Sequence, residues 1–234
     1  MDCGLLSAGH AGQWYISDIS ITAYFKYILR SLNFQKKTGG TINKKTYVVV
    51  DIETTGLSPY FHKITEIAAL KMRNHKILDE FHSLVNPKTH IPRFITNLTG
   101  INDEMVRDAP TINKVILHFN DFLSDKPFVA HNALFDFGFL DQASRKNLKT
   151  YMTNDVICTC ILARRLLPDL PRKNMAYVCS HFNITNEKAH RAMGDAAATS
   201  KILSRFIRML EEKGLKNYED LLDIQAMRKK CMPI

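Results

Sequence analysis

No stretch of this 234-residue chain approaches the roughly 20 uninterrupted apolar residues that a bilayer-spanning helix needs. Its first residues, MDCGLLSAGHAG, have neither a basic start nor a sustained apolar run, so no secretory signal is expected. Cysteine is sparse. The five residues Cys3, Cys158, Cys160, Cys179 and Cys231 are odd in number and loosely spaced. Only Cys158-x-Cys160 is close, and no second pair completes a zinc site. A disulfide framework is thereby excluded, and reduced thiols in a cytoplasmic protein are expected. There is no internal repeat and no low-complexity tract.

What is present is ordinary globular material, 45% apolar and 24% charged, which fits one good-sized domain with appendages. The net charge is +9, and nucleic acid is the usual partner of so basic a balance. Residues 1–45 hold six Lys/Arg against two Asp, so +6 − 2 = +4 of the excess lies there. This segment reads as an extension. Ile21, Phe25, Ile28, Leu29 and Leu32 fall at helical spacing, and Lys36-Lys37-Thr38-Gly39-Gly40 reads as a linker. The main domain is expected over 46–212. Its strand candidates are Tyr47-Val48-Val49-Val50, 64–72, 76–85 and Phe128-Val129-Ala130, with a weak fifth near Asn154–Ile157. Helices are predicted over 111–123, 133–146, 157–167, 174–182 and 192–212. Strands followed by mixed strands and helices predict an α/β fold, a mixed sheet flanked by helices. The tail, 213–234, is expected to carry a short helix from Tyr218 to Met227. Within it, Gln225-Ala226-Met227 is too short to read as a clamp-binding peptide.

Three short constellations carry chemistry. The first is Asp51-Ile52-Glu53-Thr54-Thr55-Gly56, directly after the apolar strand. Residues i and i+2 of a strand share a face, so Asp51 and Glu53 present two carboxylates side by side. Such a pair repels itself unless a cation lies between, and oxygen ligands of this type suit Mg²⁺ or Mn²⁺. Thr54-Thr55-Gly56 adds a tight turn with free backbone N–H groups. The second is His131-Asn132-Ala133-Leu134-Phe135-Asp136, with Asn132 as a candidate N-cap and Asp136 near the positive end of a helix. The third is His190-Arg191-Ala192-Met193-Gly194-Asp195, leading into an alanine-rich helix. A histidine near neutral pKa can take a proton from water. Singly, each also reads as a solvated strand end, a helix start and a capping histidine.

In order and residue type the three resemble the exonuclease motifs D-x-E-T-T-G, H-N-x-x-F-D and H-x-A-x-x-D of the DnaQ-like DEDDh family. The resemblance spans about residues 46–210 and stands nearest to the proofreading (epsilon) subunit of bacterial DNA polymerase III and its stand-alone relatives. Leu98-Thr99-Gly100-Ile101 and Leu170-Pro171-Arg172-Lys173-Asn174 agree with it. It implies a ribonuclease H-like fold with a five-stranded mixed sheet. It implies 3′→5′ removal of nucleotides from DNA ends, with Asp51, Glu53, Asp136 and Asp195 holding two Mg²⁺ or Mn²⁺ ions and His190 as general base. The turn at Thr54, Thr55 and Gly56 would receive the terminal 3′-hydroxyl, and Leu57 would wedge between the last two bases. Phe135 would pack near the terminal nucleotide, with His131 and Asn132 completing the substrate-binding set. DNA with a single-stranded or frayed 3′ end is the expected partner, together with a polymerase catalytic subunit.

Two other readings share these residues. One is a 3′→5′ exoribonuclease that trims RNA ends or very short oligoribonucleotides; Thr-Thr-Gly after Glu53 and HNALFD weigh against the oligoribonuclease branch. The other is a polymerase-docking scaffold with little catalysis, which loss of a metal ligand would favour; none of the five residues is lost.

Overall fold

The computed structural model describes residues 40–226. The helix expected around residues 21–32 and most of the linker after it lie outside this range, as does the chain end beyond 226.

Five strands form one mixed sheet: β1 (Tyr47–Thr54), β2 (Ile64–Arg73), β3 (Lys76–Leu84), β4 (Phe128–Ala130) and β5 (Val156–Cys158), in the order β3-β2-β1-β4-β5. β1 pairs antiparallel with β2, and β2 with β3. β4 and β5 join parallel to β1 and to each other. The reason lies in composition. Tyr47 to Val50 are all buried, as a strand covered on both faces requires. β3, rich in charge, is largely exposed along the edge. The fifth strand, weak in sequence, is real but only three residues long.

Eight α-helices surround the sheet among the described residues: α1 (Arg93–Thr99), α2 (Asp103–Val106), α3 (Ile112–Leu123), α4 (Leu134–Leu148), α5 (Thr159–Leu166), α6 (Met175–His181), α7 (Ala192–Glu212) and α8 (Tyr218–Ala226). On one face Phe128 of β4 meets Phe137 of α4 edge-on at 5.4 Å, and Phe81 meets Phe119 of α3 at 5.9 Å. On the other, Tyr47, Val49, Ala68, Leu70 and Met72 pack with Ile202, Leu203, Phe206 and Leu210 of α7. Those α7 positions recur at three- and four-residue spacing, one apolar stripe. No helix among the described residues is long and apolar enough to cross a membrane.

Residues 40–45 and 213–226, assigned from sequence to the extension and the tail, pack on the domain. Ile42 is fully buried and its N–H donates to Lys216 O at 2.8 Å. The Tyr47 hydroxyl donates to Ile42 O at 2.6 Å, and that of Tyr218 to Asp155. Gln225 acts as a strap on edge strand β5. It accepts from Cys158 N–H at 2.6 Å and donates to Val156 O at 2.7 Å, using edge groups that would otherwise be open to another strand.

Candidate active site

β1 turns from apolar to acidic along one face. Tyr47 and Val49 lie under α7, and Asp51 and Glu53 continue the same side of the strand. Asp51 sits opposite Ala68 and Glu53 opposite Glu66 of β2. The small buried residues Ala192, Ala196 and Ala198 let the start of α7 lie close to the sheet, which brings Asp195 over the strand pair. One carboxylate oxygen each of Asp51, Glu53 and Asp195 lies within 4.8 Å of the other two. Asp136, in the first turn of α4, is buried, and its Oδ1 accepts from Ile52 N–H at 3.2 Å. It borders Asp51 but stands outside the close set of three.

Burial pushes the Asp51 carboxyl well above its ordinary range, and repulsion from Asp136, Asp195 and Glu53 pushes it further. Burial likewise raises Asp136. Glu53 rises to about 8 through burial, then repulsion from Asp195 and Glu66. A set of hard oxygen donors that resist ionising together is one that a divalent cation relieves. The residues therefore fit such an ion, with Asp51, Glu53 and Asp195 as its donors.

Asp195 is itself held. Its carboxylate accepts from the Asn186 side-chain amide and from His190 N–H at 3.1 Å. His190 stands just before α7 with φ +61, and its ring is exposed. The turn that carries this ring is thus tied to a carboxylate of the acidic set. Gly194 permits the turn: a Cβ there would lie 2.3 Å from Lys188 O.

Glu66 lies beneath this turn. Its side chain is 1% exposed and accepts from Arg191 Nη2 at 2.7 Å, Arg191 Nε at 3.1 Å and Ala192 N–H at 2.9 Å, with His82 Nε2 at 2.8 Å. Burial alone would raise its pKa, but the bonds from Arg191, His82 and Ala192 outweigh it and hold the carboxyl below its usual range. Breaking a buried pair by removing one partner is costly. Glu66→Ala is expected to lose about 3 kcal/mol of stability, read from urea unfolding, and to reduce kcat more than it changes KM.

The remaining expected residues are distributed as follows. Thr54 and Thr55 are buried and fix the turn: Thr54 Oγ1 donates to Gly56 O at 2.6 Å, and Thr55 Oγ1 accepts from Lys63 N–H at 3.0 Å. The Thr55 N–H is not free as expected, because it donates to Lys63 O at 2.8 Å and extends the β1–β2 pairing past a bulge. Leu57 is exposed. Phe135 is half-buried against Phe139, ring centroids 5.0 Å apart. Asn132 is exposed and does not cap α4. It has φ +71, a left-handed conformation that asparagine tolerates, and α4 starts after Ala133 without a side-chain cap.

His131 has both ring nitrogens engaged, Nε2 with Lys173 O and Nδ1 with Thr159 Oγ1, each at 2.9 Å. A carbonyl only accepts, so Nε2 carries a proton. Burial holds its pKa down to about 4. The unfolded chain, with a pKa near 6.5, therefore binds more protons between pH 6.5 and 4. Stability present above pH 6.5 is lost as pH falls through that window. From pH 7 to 5 the loss through this residue is expected to be about 2 kcal/mol. It is measured as the difference in urea-unfolding free energy between the native chain and His131→Gln at each pH.

Local pattern missed Glu66, Arg191 and Asn186. Arg191 lies inside the third motif, and Glu66 is a lone acid in the apolar run ITEIAAL, the one available signal.

The chain matches the exonuclease family (RNase_T) over residues 48–203. It is 39% identical over 181 residues to the PolC-type DNA polymerase III of Bacillus subtilis, covering 77% of this chain and 13% of that protein. With the PolC-type enzyme of Clostridium perfringens the identity is 42% over 186 residues, 80% of this chain and 12% of that protein. The chain thus spans only a small fraction of these relatives' length. Among solved structures, exonuclease X in complex with 5′ overhanging duplex DNA is similar with TM-score 0.62 and 29% identity, covering 77% of this chain and 99% of that one. E. coli exonuclease I in complex with a dT13 oligonucleotide has TM-score 0.63 at 16% identity, covering 73% and 42%, and agrees in fold.

Proposed function

This chain belongs to the exonuclease family, and on that footing we propose that it removes nucleotides one at a time from DNA 3′ ends by metal-dependent hydrolysis. The observation that carries the reading is the convergence of Asp51, Glu53 and Asp195, with His190 on a turn bonded to Asp195. Asp51, Glu53 and Asp195, joined by Asp136, would hold two Mg²⁺ or Mn²⁺ ions. Divalent cations at such a site activate water and neutralise charge on the leaving oxygen.

The protein's own groups do the rest. His190, its ring exposed on the turn whose backbone is bonded to Asp195, takes the proton of the attacking water. Asp195 and Asn186 keep its turn in register. The turn at Thr54, Thr55 and Gly56 receives the terminal sugar, Leu57 separates the last two bases, and Phe135 packs near the terminal nucleotide. Frayed 3′ ends are preferred, because a paired end costs a few kcal/mol to open. Work beside a polymerase catalytic subunit, in the cytoplasm, accords with the polymerase relatives.

The test is direct. A 5′-labelled single-stranded DNA oligonucleotide with Mg²⁺ should shorten as a ladder from its 3′ end, faster than matched RNA, and remain intact in EDTA. A labelled strand that stays full-length with metal present would overturn the reading.

A further inference from the structure

The loop between β1 and β2, the segment after β3 and helix α4 border an open cleft of about 230 Å³ with no Asp or Glu among its lining residues. Three lysines from three separate segments border it: Lys63 before β2, Lys88 after β3, and Lys146 late in α4. All three are exposed, and none makes an ion pair among the described residues, whereas Lys71 and Lys126 pair with Asp79 and Asp125. Like charges gathered without a counter-charge await an anion. Lys63 is anchored rather than loose, because its backbone is bonded at both N–H and C=O to Thr55.

The rim adds Tyr60, 62% exposed, and Phe139 lies in the wall with its ring against Phe135 of the candidate site. Phe139 thus links the cleft wall to Phe135, one of the residues assigned to the terminal nucleotide. A cationic groove with an accessible aromatic ring is the combination that holds single-stranded nucleic acid. Lys146 follows Asp136 by ten residues on one helix, about 15 Å at the α-helical rise. That reach is too long for the terminal nucleotide and suits the strand a few nucleotides upstream.

We propose that this cleft is an upstream subsite for the substrate strand, its phosphates met by Lys63, Lys88 and Lys146 and one base stacked on Tyr60. The proposal rests on the exonuclease reading for its ligand. It makes affinity depend on strand length without touching the reacting atoms.

The experiment uses the full chain and a fluorescein-labelled DNA strand of about fifteen nucleotides, a length that fills a site of this kind. Anisotropy is read in EDTA, where nothing is cut. In the triple variant Lys63→Gln, Lys88→Gln, Lys146→Gln, Kd is expected to rise about tenfold or more, and the slope of log K against log salt to become shallower by about 2, at about 0.7 per lost phosphate contact. Tyr60→Ala is expected to weaken binding by about tenfold with an unchanged salt slope. With Mg²⁺, turnover of a dinucleotide should match the native chain. Native Kd and slope in the triple variant would overturn the subsite, and would leave the lysines to an acidic protein surface. So would an equal loss on the dinucleotide and the long strand. If the native chain binds DNA in EDTA but never cuts it with Mg²⁺, the exonuclease reading fails, while the subsite is still judged by the salt slopes.

Discussion

Asp51→Asn is expected to lower kcat by at least about 10³-fold while leaving the fold intact or slightly more stable. The loss follows from position. Asp51 belongs to the close set of three carboxylates and is also repelled by Asp136, which places it to serve a shared cation. A bound metal contributes several kcal/mol of charge stabilisation in the transition state, and each 1.36 kcal/mol is tenfold in rate. The stability effect has the opposite sign. A carboxyl whose pKa is raised by folding stabilises the protein while protonated, and that stability drains away as pH rises through the folded value. At neutral pH without metal, an amide in place of the carboxylate removes repulsion. Thermal unfolding in EDTA and single-turnover rates in Mg²⁺ read the two effects separately. A variant that loses activity only because it unfolds would contradict this assignment.

His190→Ala is expected to cost between about 10² and 10⁴ in kcat, the usual worth of a positioned general base. KM and metal affinity should change little. The ring is exposed and makes no hydrogen bond among the described residues; what ties this residue to Asp195 is its backbone N–H, which alanine keeps. Stability should therefore stay near the native value, as for surface substitutions in general. Mn²⁺ titration beside the rate measurement separates lost chemistry from lost metal. Native turnover in this variant would remove His190 from the reaction.

Much of this molecule was legible in its sequence, for identifiable reasons. The valine run of β1 is buried on both faces, so its composition alone marked a central strand. The apolar stripe of α7 reads at helical period because that helix lies along the sheet and buries one side. The strand pair Asp51 and Glu53 could be set on one face by parity alone. Short elements were harder. α1 and α2 went unread, having seven and four residues, too few for a period. Yet Pro92 before α1 and Gly100 after it, at φ +74, are the punctuation such a helix leaves. Asn132 misled because asparagine serves both as a cap and in left-handed turns. His131, expected in the substrate-binding set, has two hydrogen bonds that tie β4 to α5 and to the loop before α6, a pairing no local pattern announces. The Glu66–Arg191 contact joins residues 125 positions apart, and no local pattern encodes a pairing that only the folded sheet creates.

Anomalous scattering from crystals grown with Mn²⁺ tests the acidic site most directly. A peak coordinated by carboxylate oxygens of Asp51, Glu53 and Asp195 at about 2 Å, lost in Asp51→Asn, is the expected result. Crystals in which manganese lies elsewhere, with those three carboxylates bound to no ion, would contradict it.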